Sequence, residues 1–209
     1  VLLVRQILAF SRQQELMRRP MQLEPVVDEA LRLLRATIPT TIDFDITFAE
    51  DVPPVLADPT QVHQIVMNLA TNASHAMAGR PGRLGIKLED ARFDADMAEA
   101  QPKLKTGRHA LLSISDTGTG MDEATLGRIF EPFFTTKAPG EGTGLGLSAV
   151  HGIMQGHDGA VTVYSQPGEG TVFHLYFPAY EEESAPGPDV AEPVCHEGAG
   201  ERILYVDDE

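Results

Sequence analysis

Three glycines at alternate positions, in Gly142-Thr-Gly-Leu-Gly-Leu-Ser148, remove side chains from a stretch that leads into an apolar helical segment. Bare backbone of this kind lets a ligand approach closely. The N-terminus of the following helix adds N–H groups and a partial positive charge, which suits phosphate. A Walker loop is excluded because no Gly-Lys-Ser/Thr follows four residues after a glycine, and a dinucleotide-binding βαβ unit is excluded because no strand feeds the loop. On these residues alone, a flexible glycine turn that opens a helix is the other reading.

Three further groups could complete a nucleotide pocket. Asn68 and Asn72 stand four apart on one side of an expected helix. Asparagine is a mediocre helix former, and its neutral amide oxygen suits a Mg²⁺ ion already held by phosphates; the alternative is two solvated amides. Asp116-Thr-Gly-Thr-Gly120-Met121 ends an expected strand. A carboxylate there can accept a hydrogen bond from the exocyclic amine of adenine while bare backbone lies against the ring, although a plain Asp-Gly turn has the same composition. Between the aromatic run Ile129-Phe-Glu-Pro-Phe-Phe134 and Gly142 lies a polar segment able to move as a lid, with Lys137 as its phosphate contact.

The elements that must position these groups follow from periodicity. Leu3, Ile7 and Phe10 give an amphipathic helix over residues 1 to about 17, ended before Pro20 and expected to belong to a longer helical element. A second helix is expected from Pro25, burying Val27, Leu31, Leu34 and Ile38. Ile42, Phe44, Ile46 and Phe48 alternate with polar residues as a strand does. Asp58, Pro59 and Gln61 predict a helix over about 59–78 opened by a capping box. Strands are expected around Leu84–Leu88 and Ala110–Ile114, with a polar excursion over 90–106 between them. A helix to about Gln155 follows the glycine loop, and strands near 160–166 and 171–178 close the domain around Gly168 and Gly170.

Composition narrows the classes. A chain of 209 residues can hold one well-buried domain plus appendages. Residues 181–209 carry ten acids against one base, so most of the net charge of −15 sits there. That balance argues against nucleic acid as a partner and means that an anionic nucleotide needs a metal ion. No run of eighteen apolar residues and no signal-like start are present, so no membrane contact is expected from this stretch. Cys195 is the only cysteine, which excludes an internal disulfide and fits a reducing cytoplasm; a longer protein could still be membrane-anchored.

In order and spacing, Asn-Leu-Ala-Thr-Asn-Ala (68–73), Asp-Thr-Gly-Thr-Gly (116–120), Phe-Glu-Pro-Phe-Phe (130–134) and the glycine loop (142–148) resemble the N, G1, F and G2 boxes of bacterial sensor histidine kinases. The resemblance covers residues 20–180. It implies the α+β, two-layer sandwich shared with gyrase-type ATPases, a mixed sheet with helices on one face and nucleotide under a lid. It further implies ATP and Mg²⁺ as cofactors, with Asn72 as metal ligand assisted by Asn68, and Asp116 as adenine reader. Gly118, Gly120, Met121, Gly142, Thr143, Gly144, Leu145, Gly146 and Leu147 would line the pocket, Lys137 would face the phosphates, and Thr171 would add an adenine-side hydroxyl. His75 stands where many members carry lysine or arginine against the phosphates, a departure that weakens this contact when the imidazole is neutral.

The flanks carry the same likeness. Residues 1–17 resemble the second helix of the dimerisation and histidine-phosphotransfer hairpin, which implies a homodimer. Residues 181–200 read as a flexible acidic linker. Residues 201–209, with Ile203-Leu-Tyr-Val-Asp-Asp-Glu209, resemble the first strand of a response-regulator receiver domain, which implies a hybrid kinase and a receiver or response-regulator partner. None of His63, His75, His109, His151, His157, His174 and His196 stands where the phosphoacceptor would. Rival readings are a gyrase- or chaperone-like ATPase, a serine kinase of the anti-sigma type, and a degenerate nucleotide-binding dimerisation module. The first is disfavoured because those relatives place a water-activating glutamate where this chain has Asn68.

Overall fold

The computed structural model describes residues 17–94, 106–138 and 142–181. The expected helix over residues 1–17, apart from Met17, lies outside these residues, as do much of the polar excursion, the tip of the lid segment, the linker beyond Glu181 and the receiver-like strand. The described residues hold β1 (Arg19–Met21), α1 (Leu23–Leu34), β2 (Ile42–Phe48), β3 (Val55–Ala57), α2 (Pro59–Ala76) and β4 (Gly82–Phe93). They continue with β5 (Gly107–Asp116), α3 (Glu123–Leu126), α4 (Gly146–Gly156), β6 (Ala160–Gln166) and β7 (Gly170–Pro178). No helix among them is long and apolar enough to cross a membrane.

Five strands form one mixed sheet in the order β2-β4-β5-β7-β6, with β2 parallel to β4 and every other pair antiparallel. Leu84, Ile86 and Leu88 of β4, Leu112 and Ile114 of β5 and Leu175 and Phe177 of β7 are buried on the inner face. Val27, Leu31 and Leu34 of α1, Val62, Ile65 and Leu69 of α2 and Val150 and Met154 of α4 join them in one core. This is the two-layer α+β sandwich that the sequence predicts. The register aligns Leu84 with Asp116, Asp116 with Thr171 and Ser165 with Thr171, so the polar residues continue the apolar rows at one end of the inner face.

The structure corrects or adds to the sequence expectations at five places. α1 starts at Leu23, with Pro25 in its first turn, where a missing N–H breaks no bond, and Ile38 is buried in the turn beyond its end. β4 runs on through Asp90–Phe93, which the sequence assigns to the polar excursion. Its apolar residues change face after Leu88, since Ala91 and Phe93 join Leu111, Ala160 and Tyr176 in a small cluster on the outer face. β1 and β3 form an unanticipated two-stranded ladder, too short to show a period and containing Pro20. α3 is one turn capped by Asp122, whose Oδ1 accepts from Thr125 N at 2.8 Å.

The fifth lies at the start of α2. Asp58 caps the helix as expected, its Oδ1 accepting from Thr60 N at 2.9 Å, but the box with Gln61 does not close. The Asp58 N–H donates instead to Nε2 of His157 at 3.0 Å, and Gln61 Oε1 is buried without a hydrogen-bond partner. The other ring nitrogen, Nδ1, donates to Ile153 O at 2.8 Å. Both bonds together require the neutral imidazole with its proton on Nδ1. His157 thus pins the end of α4 to the start of α2, and the Arg18–Asp158 ion pair at 2.8 Å lies beside it.

Burial is the main force that pushes the His157 pKa below its ordinary 6.5, and Arg18 adds to it against the opposing Ile153 carbonyl, Asp58 and Asp158. The unfolded chain therefore binds more protons than the folded one in the window below about 6.5. Stability is full above that pH and falls as the pH drops through the lower folded value. Burial shifts His174 in the same direction. The thermal midpoint is expected to fall between about pH 7 and 5, and His157→Gln to remove part of that slope while destabilising by about 1–3 kcal/mol at neutral pH. A slope unchanged by the substitution would assign it to other groups.

The β6–β7 turn offers a second test. Gly168 and Gly170 both have positive φ, +85° and +107°. A Cβ on Gly168 would meet open space, whereas one on Gly170 would overlap the backbone carbonyl of Asp116. Gly168→Ala is expected to cost about 1–2 kcal/mol in urea unfolding, and Gly170→Ala more than about 3 kcal/mol, since backbone must move. Equal losses would show that the crowding at Asp116 has no weight.

Candidate functional site

α2 presents its apolar stripe to the core, so its other side faces a cavity of about 1270 Å³ between α2, α4 and the 116–137 segment. Asn68, Asn72 and His75 line it from α2, Asp116, Gly120 and Met121 from the end of β5 and the loop after it, and Thr171 from β7. Lys137, Gly142, Thr143, Gly144, Leu145, Gly146 and Leu147 line the opposite wall. Gly118 alone of the residues singled out in the sequence stands off the wall. It packs against Ala76, and its N–H donates to Asp116 Oδ1 at 2.8 Å.

The floor at the sheet end is a hydroxyl and carboxylate group. Burial raises the Asp116 pKa, opposed by backbone hydrogen bonds from Gly118 and Thr171. Beside it, Ser165 Oγ donates to Gly170 O at 3.0 Å and accepts from Met121 N at 2.8 Å. Its single proton being used, the 2.9 Å contact between Ser165 Oγ and Thr171 Oγ1 makes Thr171 the donor. Thr171 Oγ1 therefore keeps acceptor capacity next to Asp116. Ser165 belongs to no motif and is missed in the sequence; its signal is a polar residue on the inward side of β6, in step with Val161 and Val163.

The opposite end is built on the start of α4. Its N-cap, Leu145, makes no side-chain capping bond to the first turn of this 11-residue helix, while its own N–H donates to Thr143 Oγ1 at 3.4 Å, and Gly146 and Leu147 line the cavity. Asn68 Nδ2 donates to Gly146 O at 3.3 Å, which ties α2 to this helix start. Gly144 is needed for the fold: φ is +66°, and a Cβ there would overlap the backbone of Phe133. Phe133 itself has φ +67°, is 67% exposed, and donates its N–H to Gly144 O at 2.9 Å.

The aromatic run divides in two. Ile129 is buried, Phe130 lies against His151 with centroids 5.0 Å apart, and Phe134 lies under the Arg128 guanidinium at 4.3 Å. Phe133 turns outward at the mouth. Lys137 is the only lysine or arginine among the described lining residues, and its Nζ lies 2.6 Å from His75 Nδ1.

No cluster of three or more His, Cys, Asp or Glu side chains suited to a metal is present among the described residues. Asn68 and Asn72 offer two neutral amide groups, too few to hold a dication alone. The donor set fits Mg²⁺ only in company with further oxygen ligands from a bound molecule.

Residues 57–181 match the family described as histidine kinase-, DNA gyrase B- and HSP90-like ATPase. The chain is similar to the sensor kinase CckA of Brucella abortus, 39% identical over 182 residues that cover 87% of this chain and 19% of the relative. It therefore spans about a fifth of that protein's length. Among solved structures it resembles full-length ShkA in complex with AMPPNP, with TM-score 0.67, 26% identity, and 85% of this chain and 35% of that chain covered. It also resembles histidine kinase ThkA in complex with the response regulator TrrA, with TM-score 0.65, 26% identity, and 87% and 48% covered. The family match spans more than half of the chain: the chain belongs to the histidine kinase-, DNA gyrase B- and HSP90-like ATPase family and carries the ATP-binding catalytic domain of sensor histidine kinases.

Proposed function

We propose that this chain is the catalytic part of a sensor histidine kinase that transfers the γ-phosphoryl group of ATP to a histidine outside residues 1–209, from which it passes to a receiver aspartate. The observation that carries the reading is the single cavity that joins Asn68 and Asn72, the carboxylate of Asp116 and the uncapped start of α4. The AMPPNP complex of ShkA and the TrrA complex of ThkA support nucleotide and response regulator as partners.

In this reading Asp116 accepts from the exocyclic amine of adenine, and Thr171 adds its acceptor lone pairs on the same side. Asn72, assisted by Asn68, holds Mg²⁺ against the phosphates; the ion, when bound, neutralises charge that develops on the transferred group. Gly142, Thr143, Gly144, Leu145, Gly146 and Leu147 bring backbone to the phosphates, and Lys137 approaches from the lid. The protein contributes positioning and charge neutralisation more than covalent chemistry. With an amide at Asn68, no carboxylate stands there to activate water, so hydrolysis is slow. Residues 1–17 serve as the dimer-forming helix, and residues 201–209 begin a receiver domain of a hybrid kinase.

Calorimetric titration with a non-hydrolysable ATP analogue, with and without Mg²⁺, tests the reading. Magnesium-aided binding is expected, weakened roughly tenfold or more by Asp116→Ala. Binding that ignores both the ion and the substitution would count against it. The 209-residue chain incubated with ATP is expected to stay unlabelled, and phosphohistidine on it would overturn the placement of the acceptor outside the chain.

A further inference from the structure

The contact between His75 and Lys137 joins two elements that are 62 residues apart and otherwise face each other across the cavity. An ammonium has no acceptor, so at 2.6 Å it donates to Nδ1, and the imidazole carries its proton on Nε2. The lysine is steered to this position from both of its ends. Thr135 Oγ1 accepts from Lys137 N at 3.2 Å, which turns the backbone. The stem then passes Gly142, where a Cβ would lie 3.1 Å from Lys137 Cδ and 2.9 Å from Thr135 Oγ1. Bare backbone at Gly142 thus leaves the channel through which the side chain reaches α2. His75 is one turn beyond Asn72 on α2, so the contact brings the ammonium to the same face of the helix that carries the two asparagines.

The geometry points to His75 as a positioning residue that acts through Lys137: the imidazole holds the only described lining ammonium at the phosphate end, and the pair sets the preference for a nucleoside triphosphate over a diphosphate. The inference rests on the ATP-binding reading above. The physical reason is charge. A neutral acceptor keeps the ammonium oriented yet releases it readily to a phosphate oxygen, a stronger, charged acceptor. A diphosphate lacks the terminal group for which the ammonium is held, so the pair bears on the last phosphate alone. His75 in this role is not itself a phosphate ligand.

The test is a double-mutant cycle on the 209-residue chain, titrated with AMPPNP and with ADP in the presence of Mg²⁺. The readout is the ratio of the two affinities. His75→Ala and Lys137→Ala are each expected to lower the triphosphate preference by roughly tenfold, and the double variant to be no worse than Lys137→Ala. His75→Asn, whose amide oxygen falls near the position of Nδ1, is expected to restore most of the preference. Additive losses, an unchanged ratio in His75→Ala, or no rescue by asparagine would overturn the inference while leaving nucleotide binding in place. Absence of binding of either nucleotide by the unsubstituted chain would overturn the ATP-binding reading, and this inference with it.

Discussion

A helix that buries one face has no freedom in where its other face points, and α2 is held on that principle. Val62, Ile65, Val66, Leu69 and Ala70 are sealed between α1, α4 and the sheet. Rotating α2 enough to redirect Asn68, Asn72 and His75 would expose several of these side chains, at about 1.5–3 kcal/mol each. The polar ladder on the cavity side is therefore positioned by the core, not by contacts among its own members. The same logic fixes α4: Val150 and Met154 seat it in the core, and the Asn68 bond to Gly146 O registers its first turn against α2.

The two ends of the cavity handle charge differently. At the sheet end a carboxylate is carried into a buried setting and held by backbone N–H groups, an arrangement suited to a neutral hydrogen-bonding partner rather than a cation. At the other end the described lining residues offer one ammonium and a helix start, and in the proposed reading a triphosphate would bring more negative charge than these offset. An overall acidic chain adds to the mismatch, which makes a dication a physical requirement of the proposed chemistry.

Much of this was readable from residue order because the site uses local signals. Asp58-Pro59 marks a helix start, alternation marks β2, and glycines followed by an apolar stretch mark α4. What escaped the sequence is what depends on a distant partner. Gln61 looks like a capping residue until His157 takes the N–H it would serve. The end of β4 looks polar until Arg108 Nε reaches Asp90 Oδ1 at 2.8 Å and Phe93 packs edge-on against Tyr176. Ser165 has no motif because its role is fixed by register with Thr171, a relation between strands that no single stretch contains. Gly118 reads as wall and lies behind it, because spacing alone does not say which side of a loop faces a ligand.

The bond from Phe133 N to Gly144 O has a consequence for chain entropy. It closes the intervening segment at its base, with both residues already in the left-handed region and so committed to the turn. Once the ends of a flexible segment are joined, lengthening it costs only about 0.6 kcal/mol per doubling. The place of the base is therefore set by Phe133 and Gly144 themselves more than by the length of chain between them.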